Sequence, residues 1–483
     1  MSLANWSRAQ SLASAASHDF LGGDFYSGRD EQLVVTKLMV NLTESMPPEF
    51  MTSVASDLTE HETLKSQEQL DLLTFAATAN ASAFLGIVGI DPDGGINPAA
   101  LDRLRQSFRQ NTPYEALLGG VPIEDVAVYF SSDSKMAFSE NGTLLSELQT
   151  SGSNDYPHFH AVKGACRALQ MAHVPFGVIT RKQLHTLGGY RVVVLGNVLR
   201  MDAEECDAFR AYVKHGGALY ASRLTSLTRT SGTRYTDFAL ADVFGASFLF
   251  EEQGRQIYLE PASELAAAAM APQRRISHPV AASSGSGAVR LKSSAGVVLA
   301  RLTLPYAYPA AGSVDDREWS SIHSSPPTDM LDSPTIVRHA FGAGEAIYSA
   351  ADIEVGAGPG EALFLAIIAS LIGDVAPSFS SDAPGCVWVV AFDQAAESRT
   401  ILSLLNYQVE LPAIPLGPIS VWVRERPERR VARVWMAPGG ESIACKEDGE
   451  GMRVVLPGLS VFSMIVIEYK TRVEGADDGK AEQ

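Results

Sequence analysis

Two carboxylates close to each other in the sequence are the first residues that could do chemistry. Asp24 and Tyr26 close the run DFLGGDFY, and Glu31 follows in the next loop. Two carboxylates that reach one cleft can act on a bound substrate as general acid, general base or nucleophile. The sequence therefore predicts Asp24 and Glu31 as catalytic candidates, with Tyr26 as a ligand-binding side chain.

Two histidines accompany this group. His18 enters the same run, and His61 lies in the polar segment 57–65, so both could hydrogen-bond ligand hydroxyl groups. A purely structural interpretation also remains open. Asp24 would then cap a turn, Glu31 would sit near the positive end of a helix, and the histidines would be surface residues.

The elements that must position these side chains alternate between strand and helix over residues 1–112. Apolar runs and capping signals predict strands at 19–26, 49–53 and 83–90, and helices at 6–16, 32–42, 66–79 and from 97 onward. Three such units in series indicate a parallel sheet or part of a barrel, in which catalytic residues follow the carboxyl ends of strands. Residues 113–124 are predicted to be a linker.

The stretch 190–222 predicts one strand–helix–strand unit at the centre of the next domain, residues 125–375. Asp202 can cap its helix, and His215 followed by two glycines can end it. Further strands are predicted at 126–130, 176–179 and 344–349, with helices at 161–172 and 359–373, and with loops and short strands over 283–325. Residues 376–470 contain six strand-like runs with turns between them, which indicates an antiparallel β-sandwich, and the polar tail 471–483 is predicted to be disordered.

Composition narrows the class of protein. A net charge of −18 argues against nucleic acid and anionic membranes as partners, because both need a basic face. No apolar run is long enough to span a bilayer, and the N-terminus lacks the apolar core of a signal peptide. The four scattered cysteines form no paired motif, so a reduced, cytoplasmic protein is expected.

Several longer stretches resemble known enzymes. The run YRVVVLGNVLRMDAEECDAFRAYVKHGGALYAS and the following DFALADVFGASF are similar to the trimerisation domain of family 42 β-galactosidases. The segments DFLGGDFYSGRDEQ, EFMTS and DLTEHETLKS resemble the barrel of the family 151 α-L-fucosidases. The resemblance implies an α/β multidomain protein with the C-terminal part of a (β/α)8 TIM barrel, a flavodoxin-like (class I glutamine amidotransferase-like) domain and a β-sandwich.

The same resemblance implies retaining hydrolysis of a terminal sugar by two carboxylates, without a metal ion or an organic cofactor, in a homotrimer assembled through the middle domain. Full-length relatives carry earlier barrel strands before the DFLGGDFY segment, so a truncated barrel is expected. In family 42 the nucleophile is a glutamate at the end of strand seven, where this sequence has Thr52 and Ser53. The α-L-fucosidases instead resemble enzymes with an aspartate nucleophile on strand four, which this sequence lacks, so the nucleophile is expected to lie outside this chain. The alternatives are a non-catalytic binding or assembly protein, and a half-enzyme completed by a partner chain.

Two other motifs give weaker evidence for a functional site. The strand ending at Ser222 offers no cysteine for an amidotransferase triad, and Cys166 and Cys206 have the spacing of buried helix residues. His158 and His160 alternate as metal ligands on a strand would, but no further ligands lie nearby in the sequence, so a structural role is favoured.

Overall fold

The computed structural model describes most of the chain, in ranges separated by short gaps: residues 19–24, 26, 28–57, 59–137, 156–253, 256–279, 286–305, 326–426 and 428–471. His18 and the predicted helix at 6–16 lie outside these residues, as does the tail beyond 471.

The first region consists of three β/α units. Its strands β1, β2 and β3 form a parallel sheet in that order, and each is followed by a helix. The bounds are β1 Gly22–Asp24, α1 Arg29–Leu42, β2 Glu49–Ser53, α2 Gln67–Ala79, β3 Ala83–Ile87 and α3 Pro98–Asn111. The predicted alternation of strand and helix is present, although β1 and β3 are shorter than predicted.

Local chemistry explains where the helices of this region begin. The Ser66 side chain accepts a hydrogen bond from the Gln69 amide at 3.1 Å, and the Asn97 side chain accepts one from the Ala99 amide at 3.0 Å. Each bond satisfies one N–H that the first helical turn leaves without an intrahelical partner. Pro98 occupies the first helical position, where no N–H is needed.

The second region is built on a nine-stranded mixed sheet. Its order is β11-β10-β13-β14-β15-β8-β7-β5-β6, parallel from β15 to β6 and antiparallel from β15 to β11, and a separate ribbon pairs β9 with β12. A 3-10 helix, Thr112–Leu117, and β4 Val121–Pro122 precede it. The strands are β5 Val126–Tyr129, β6 Phe176–Ile179, β7 Val192–Leu195, β8 Ala218–Ser222, β9 Ala246–Gln253, β10 Gln256–Pro261, β11 Ile276–Pro279, β12 Ser286–Ser294, β13 Val297–Pro305, β14 Pro327–Phe341 and β15 Gly344–Ser349.

Six described helices and one longer 3-10 helix accompany that sheet: α4 Ser132–Lys135, α5 Pro157–Met171, the 3-10 helix Arg181–Gly189, α6 Ala203–Lys214, α7 Ala241–Phe244, α8 Glu264–Met270 and α9 Pro359–Ile372. Helix α6 begins as predicted, because Asp202 accepts from the Glu205 amide and the Glu205 side chain accepts from the Asp202 amide. Helix α5 begins at Pro157, four residues before the predicted start, so His158 and His160 are helical.

The third region consists of two antiparallel sheets that enclose one apolar core. One sheet has the order β16-β19-β23-β22, and the other has the order β21-β20-β24-β18-β17-β4. The bounds are β16 Phe379–Ser381, β17 Val387–Gln394, β18 Arg399–Asn406, β19 Ile419–Arg424, β20 Arg429–Ala437, β21 Glu441–Ser442, β22 Cys445–Asp448, β23 Gly451–Leu456 and β24 Phe462–Thr471. Strand β4, in the predicted linker, adds an edge strand to this region by pairing with β17.

One continuous apolar core joins the three regions. Residues of α1 and α2, the parallel strands β5 to β8, helix α9, and Trp388 and Tyr407 of the third region all belong to the same cluster. Phe75 on α2 stacks on Phe462 of β24 at a centroid distance of 4.7 Å. The β/α units therefore depend on both neighbouring regions for much of their buried surface.

A partly buried polar contact also joins the first two regions. The Asn41 side chain on α1 donates to both carboxylate oxygens of Glu124, at 3.0 and 3.2 Å. Lys37 on the same helix is buried, and its charge interacts with Glu124. Desolvation raises the pKa of Glu124 and lowers that of Lys37, because burial penalises the charged form of each.

Candidate functional site

Among the described residues, the predicted site residues lie at or after the carboxyl ends of the parallel strands. Strand β1 ends at Asp24, β2 ends at Ser53, and β3 ends at Ile87. The loop after β2 is held against β3, because the Val54 amide donates to the Ile87 carbonyl at 2.9 Å. Loops that follow parallel strands meet at one edge, so side chains distant in sequence come together here.

His61 lines a cavity of about 250 Å³ at this edge, between the loops that follow β2 and β3. Its backbone has a φ of 59°, in the left-handed region, and its Nδ1 is buried without a hydrogen-bond partner among the described residues. A Cβ on Gly89 would lie 2.8 Å from the His61 Cβ, so the absence of a side chain at residue 89 lets the histidine pack there. We refer to this cavity as the His61 pocket.

Three carboxylates share the His61 pocket. Glu60 accepts hydrogen bonds from the Glu62 amide at 2.9 Å and from the Thr63 amide at 3.0 Å, and these bonds lower its pKa. The side chains of Glu62 and Asp91 are exposed, and neither has a hydrogen-bond partner within the described part of the chain. The pocket therefore offers exposed carboxylate acceptors in the same wall as the His61 side chain, which suits a ligand with several hydroxyl groups.

The loop that carries His61 is fixed by its own side chains. Asp57 accepts from both the amide and the hydroxyl of Thr59 at 2.7 Å, and these bonds lower its pKa. Lys65, at the end of the loop, donates to the carbonyls of Ser53 at 2.6 Å and Ala55 at 2.5 Å. The loop is thus held against the end of β2, and His61 has a defined position.

The other predicted residues lie elsewhere. Glu31, in the first turn of α1, pairs with Lys163 of α5 at 3.4 Å and so faces the second region. Tyr26 follows β1 and lines a separate cavity of about 200 Å³. Asp24 ends β1, with its backbone level with Met51 of β2. The structure therefore brings His61 and Tyr26 to the same edge in different cavities, and it places Glu31 at a contact between regions.

Four side chains at this edge were not predicted from the sequence: Arg29, Glu62, Lys65 and Asp91. One signal was available for Lys65, which directly precedes the Ser66 cap of α2. A cation at the positive end of a helix is unfavourable, so another contact must hold it there. The sequence around Arg29, Glu62 and Asp91 gives no similar indication, because the role of each depends on which loops contact one another in the fold.

The candidate thiols and the candidate metal-binding histidine of the second region have structural positions. Cys166 and Cys206 are buried on α5 and α6, and burial raises the pKa of both thiols, that of Cys206 to about 12. His158 accepts from the Ser131 amide at 2.9 Å, and its Nδ1 lies 2.8 Å from the Gly196 carbonyl. Burial lowers its pKa to about 4, so it is neutral and joins the ends of β5 and β7. Among the described residues, no cluster of His, Cys, Asp or Glu is arranged to hold a metal ion.

The fold can be compared with known proteins. No protein-family model matches the chain. No curated protein matches it in sequence. Solved structures do match it: α-L-fucosidase isoenzyme 2 from Paenibacillus thiaminolyticus has a TM-score of 0.73 and 21% identity, and the alignment covers 94% of this chain and 66% of that one.

Two β-galactosidases match at a TM-score of 0.65 and 13% identity: a catalytic mutant of a GH42 enzyme from G. stearothermophilus and an enzyme from Bacillus circulans sp. alkalophilus. The alignments cover 95% and 94% of this chain and 61% of each of theirs. The chain thus has the mixed α/β, multidomain fold of these glycoside hydrolases and spans 61–66% of the length of the three structures. The resemblance to glycoside hydrolases inferred from the sequence is confirmed at the level of the fold. In the part of the chain that the structure describes, no helix is both long and apolar enough to cross a membrane.

Proposed function

We propose that this chain is a glycoside hydrolase relative that binds a saccharide at the carboxyl edge of its three parallel strands. The observation that carries the proposal is the His61 pocket, which lies at the edge where barrel enzymes place their chemistry, in a chain with a glycoside hydrolase fold. Glu62 and Asp91, which line this pocket, would accept hydrogen bonds from sugar hydroxyls, and the His61 side chain would form part of its wall.

The finer domain assignment is part of this proposal. Residues 1–112 would be the C-terminal three units of a (β/α)8 TIM barrel, residues 125–375 a flavodoxin-like domain and residues 376–470 a β-sandwich. The strand order β6-β5-β7-β8-β15 supports the second assignment, because it is the 2-1-3-4-5 order of flavodoxin-like sheets. The four free thiols fit a cytoplasmic location.

The proposed reaction is retaining, α-L-fucosidase-like hydrolysis of a terminal sugar, which requires two carboxylates about 5 Å apart. Asp24, at the end of β1, is the candidate that this chain supplies from a strand end. Glu31 would have to exchange its ion pair with Lys163 for the substrate. On this proposal further β/α units supply the nucleophile, and neither a metal ion nor an organic cofactor is needed.

Binding and turnover test the proposal separately. We expect L-fucose or D-galactose to bind the full chain in titration calorimetry, and Glu62→Gln to weaken that binding about tenfold, as the loss of a hydrogen bond to a charged group would. His61→Ala should also weaken the binding, because it removes part of the wall of the pocket. Glu44→Gln is the matched control, because Glu44 is exposed in the loop between α1 and β2, at the opposite edge of the sheet. Binding that neither His61→Ala nor Glu62→Gln changes would contradict the assignment of this pocket.

Hydrolysis of 4-nitrophenyl α-L-fucoside and of the β-D-galactoside tests the catalytic part. We expect no turnover by residues 1–483 alone, because the second carboxylate of the pair would be missing. Turnover that Asp24→Asn abolishes would instead show that a working carboxylate pair exists within the chain.

A second candidate is an assembly protein or a half-enzyme completed by other β/α units, whether in a longer chain or in a partner. Strands β1 and β3 each pair only with β2 in the described structure. Leu85 on β3 is 38% exposed, and Phe108 on α3 is 40% exposed beside an apolar groove of about 450 Å³. Unpaired apolar strand edges favour association with further strands.

Particle mass distinguishes this candidate from the trimer that the resemblance implies. Leu249 and Phe250, on the β9–β12 ribbon of the second region, are half exposed and offer an apolar surface for a trimer contact. We expect Leu249→Lys to lower the mass measured by light scattering if the trimer forms through the second region. Loss of assembly with Leu85→Lys, and not with Leu249→Lys, would favour association through the open edge of β3.

A further inference from the structure

The cavity that Tyr26 lines lies between two regions of the chain. Its walls come from the segment after β1, from the start of α2, and from the loop 407–411 that follows β18. Its volume of about 200 Å³ is below the usual 300–1,000 Å³ of pockets for drug-sized ligands, so a ligand of monosaccharide size fits it. We refer to it as the Arg29 pocket.

The Arg29 pocket has positive charge in its wall. Arg29 and Lys65 both line it, and none of the described side chains in its wall is a carboxylate. The whole chain carries a net charge of −18. Two cations in this wall, of which Arg29 also pairs with Asp30, therefore favour an anion in the pocket.

Among the described residues, several hydrogen-bond donors of this pocket have no partner. The Arg29 side chain is only 25% exposed, and the bond it makes within the described residues runs from its Nε to Asp30 at 3.2 Å. A guanidinium has five N–H donors, so its terminal nitrogens have capacity to spare. Lys65 uses two of its three N–H groups on the carbonyls at the end of β2. The side-chain amide of Gln69 makes no hydrogen bond within the described part of the chain.

The opposite wall is held in position by the third region. The Tyr407 ring stacks on Trp388 at a centroid distance of 4.7 Å, and its hydroxyl donates to Gln32 of α1. The Gln408 side chain binds both the amide and the carbonyl of Ile414, at 3.2 and 2.7 Å, and so fixes the loop. The pocket is therefore formed before any ligand arrives, which limits the entropy lost on binding.

We propose that the Arg29 pocket binds a monosaccharide-sized ligand that carries one carboxylate, with a sugar acid of the hexuronate type as the simplest example. The two terminal nitrogens of Arg29 match the two oxygens of a carboxylate, and Lys65 adds a single charged donor. The Tyr26 ring and the side chains of Leu72 and Leu73 supply the apolar wall against which a sugar ring packs. This site is separate from the His61 pocket and does not depend on the proposed hydrolysis.

Titration calorimetry of the full chain with D-glucuronate, D-glucose and D-glucose 6-phosphate tests the proposal. We expect one molecule of D-glucuronate to bind per chain, D-glucose to bind at least tenfold more weakly, and Arg29→Gln to weaken D-glucuronate binding about tenfold to a hundredfold. Arg105→Gln is the matched control, because Arg105 is an exposed, ion-paired arginine on α3 and should leave the affinity unchanged.

Gln69→Glu is the sharper variant. It places a carboxylate in the wall of the pocket and should abolish D-glucuronate binding by repulsion. A glutamate three residues after the Ser66 cap also completes a capping box, so helix α2 should be at least as stable as before. Wild-type affinity in Gln69→Glu, equal binding of D-glucose and D-glucuronate, or absence of D-glucuronate binding would each overturn the proposal. Tighter binding of D-glucose 6-phosphate than of D-glucuronate would overturn the assignment of a carboxylate.

Discussion

Glu354 should make the stability of the second region depend on pH. The side chain is fully buried, and it accepts hydrogen bonds from the Tyr220 hydroxyl at 2.7 Å and the Ser222 hydroxyl at 2.5 Å. Burial, with a smaller contribution from the negative charge of Asp352, raises its pKa from 4.5 to about 7. Asp352 itself pairs with Arg223 at 3.3 Å, also in the interior.

The sign of the effect follows from linkage. Between pH 4.5 and 7 the folded protein retains a proton on Glu354 that the unfolded chain has released, so stability falls as pH rises through this interval. The difference between pKa values of 7 and 4.5 is 2.5 units, and at about 1.36 kcal/mol per unit the full effect is about 3 kcal/mol above pH 7. Below pH 4.5 both states are protonated and the penalty disappears.

Glu354→Gln removes this titration while leaving an oxygen to accept one of the two hydroxyl bonds. Urea unfolding followed by circular dichroism at several pH values from 5 to 8 gives the unfolding free energy of each protein. We expect the unfolding free energy of the variant, relative to that of the wild type, to rise by about 2 to 3 kcal/mol between pH 5 and pH 8. Glu397→Gln is the control, because it removes an exposed glutamate of the third region and shows how far the loss of any one carboxylate changes the pH profile. Parallel pH profiles for the wild type and Glu354→Gln would refute the reasoning.

Three further substitutions test the site and the contacts that hold it. Gly89→Ala should displace His61, because the new Cβ would lie 2.8 Å from the His61 Cβ. The variant should bind saccharide more weakly in calorimetry, while its melting temperature should fall by no more than a few degrees. Unchanged affinity would contradict the packing of His61 against residue 89. Lys37→Met should destabilise the chain by about 1 to 3 kcal/mol in urea, because it leaves the partly buried Glu124 without a compensating charge. Adding Glu124→Gln should restore most of that loss, and additive losses in the double variant would count against the coupling. Phe75→Ala should cost about 3 to 5 kcal/mol by opening a cavity between the first and third regions, and a loss below about 1 kcal/mol would show that this contact is not part of the shared core.

Local sequence signals predicted the helices and strands whose ends are set by nearby residues. Glu49–Ser53 is a strand with the predicted bounds, and Asp202 and Asn97 cap helices as expected, because each cap involves only a few adjacent residues. The long strand Pro327–Phe341 was not predicted, since its register irregularities against β13 break the alternating pattern. Helix α5 starts earlier than predicted, because Pro157 can occupy a first helical turn.

The site was less predictable than the fold, for a physical reason. His61 could be proposed from its loop, but its exposed partners depend on how the loops after β2 and β3 meet. Glu31 has the residue type and the position along the chain that catalysis requires, yet its carboxylate faces Lys163 of α5. The Arg29 pocket needs the loop 407–411, which lies hundreds of residues away in the sequence, and no local pattern records that contact.

The apolar core that the three regions share also supports the two pockets. Within the described residues, β1 and β3 each pair only with β2, so the three-stranded sheet there does not bury its surface by closing on itself. Its helices are instead covered by the other regions, with α1 against α5 and β6 and α2 against β18 and β24. The geometry of both pockets at the carboxyl edge therefore depends on contacts outside the β/α units. Any saccharide or sugar acid bound at that edge should consequently raise the stability of all three regions together, and stabilisation of the β/α units alone would show that the core is less continuous than its contacts indicate.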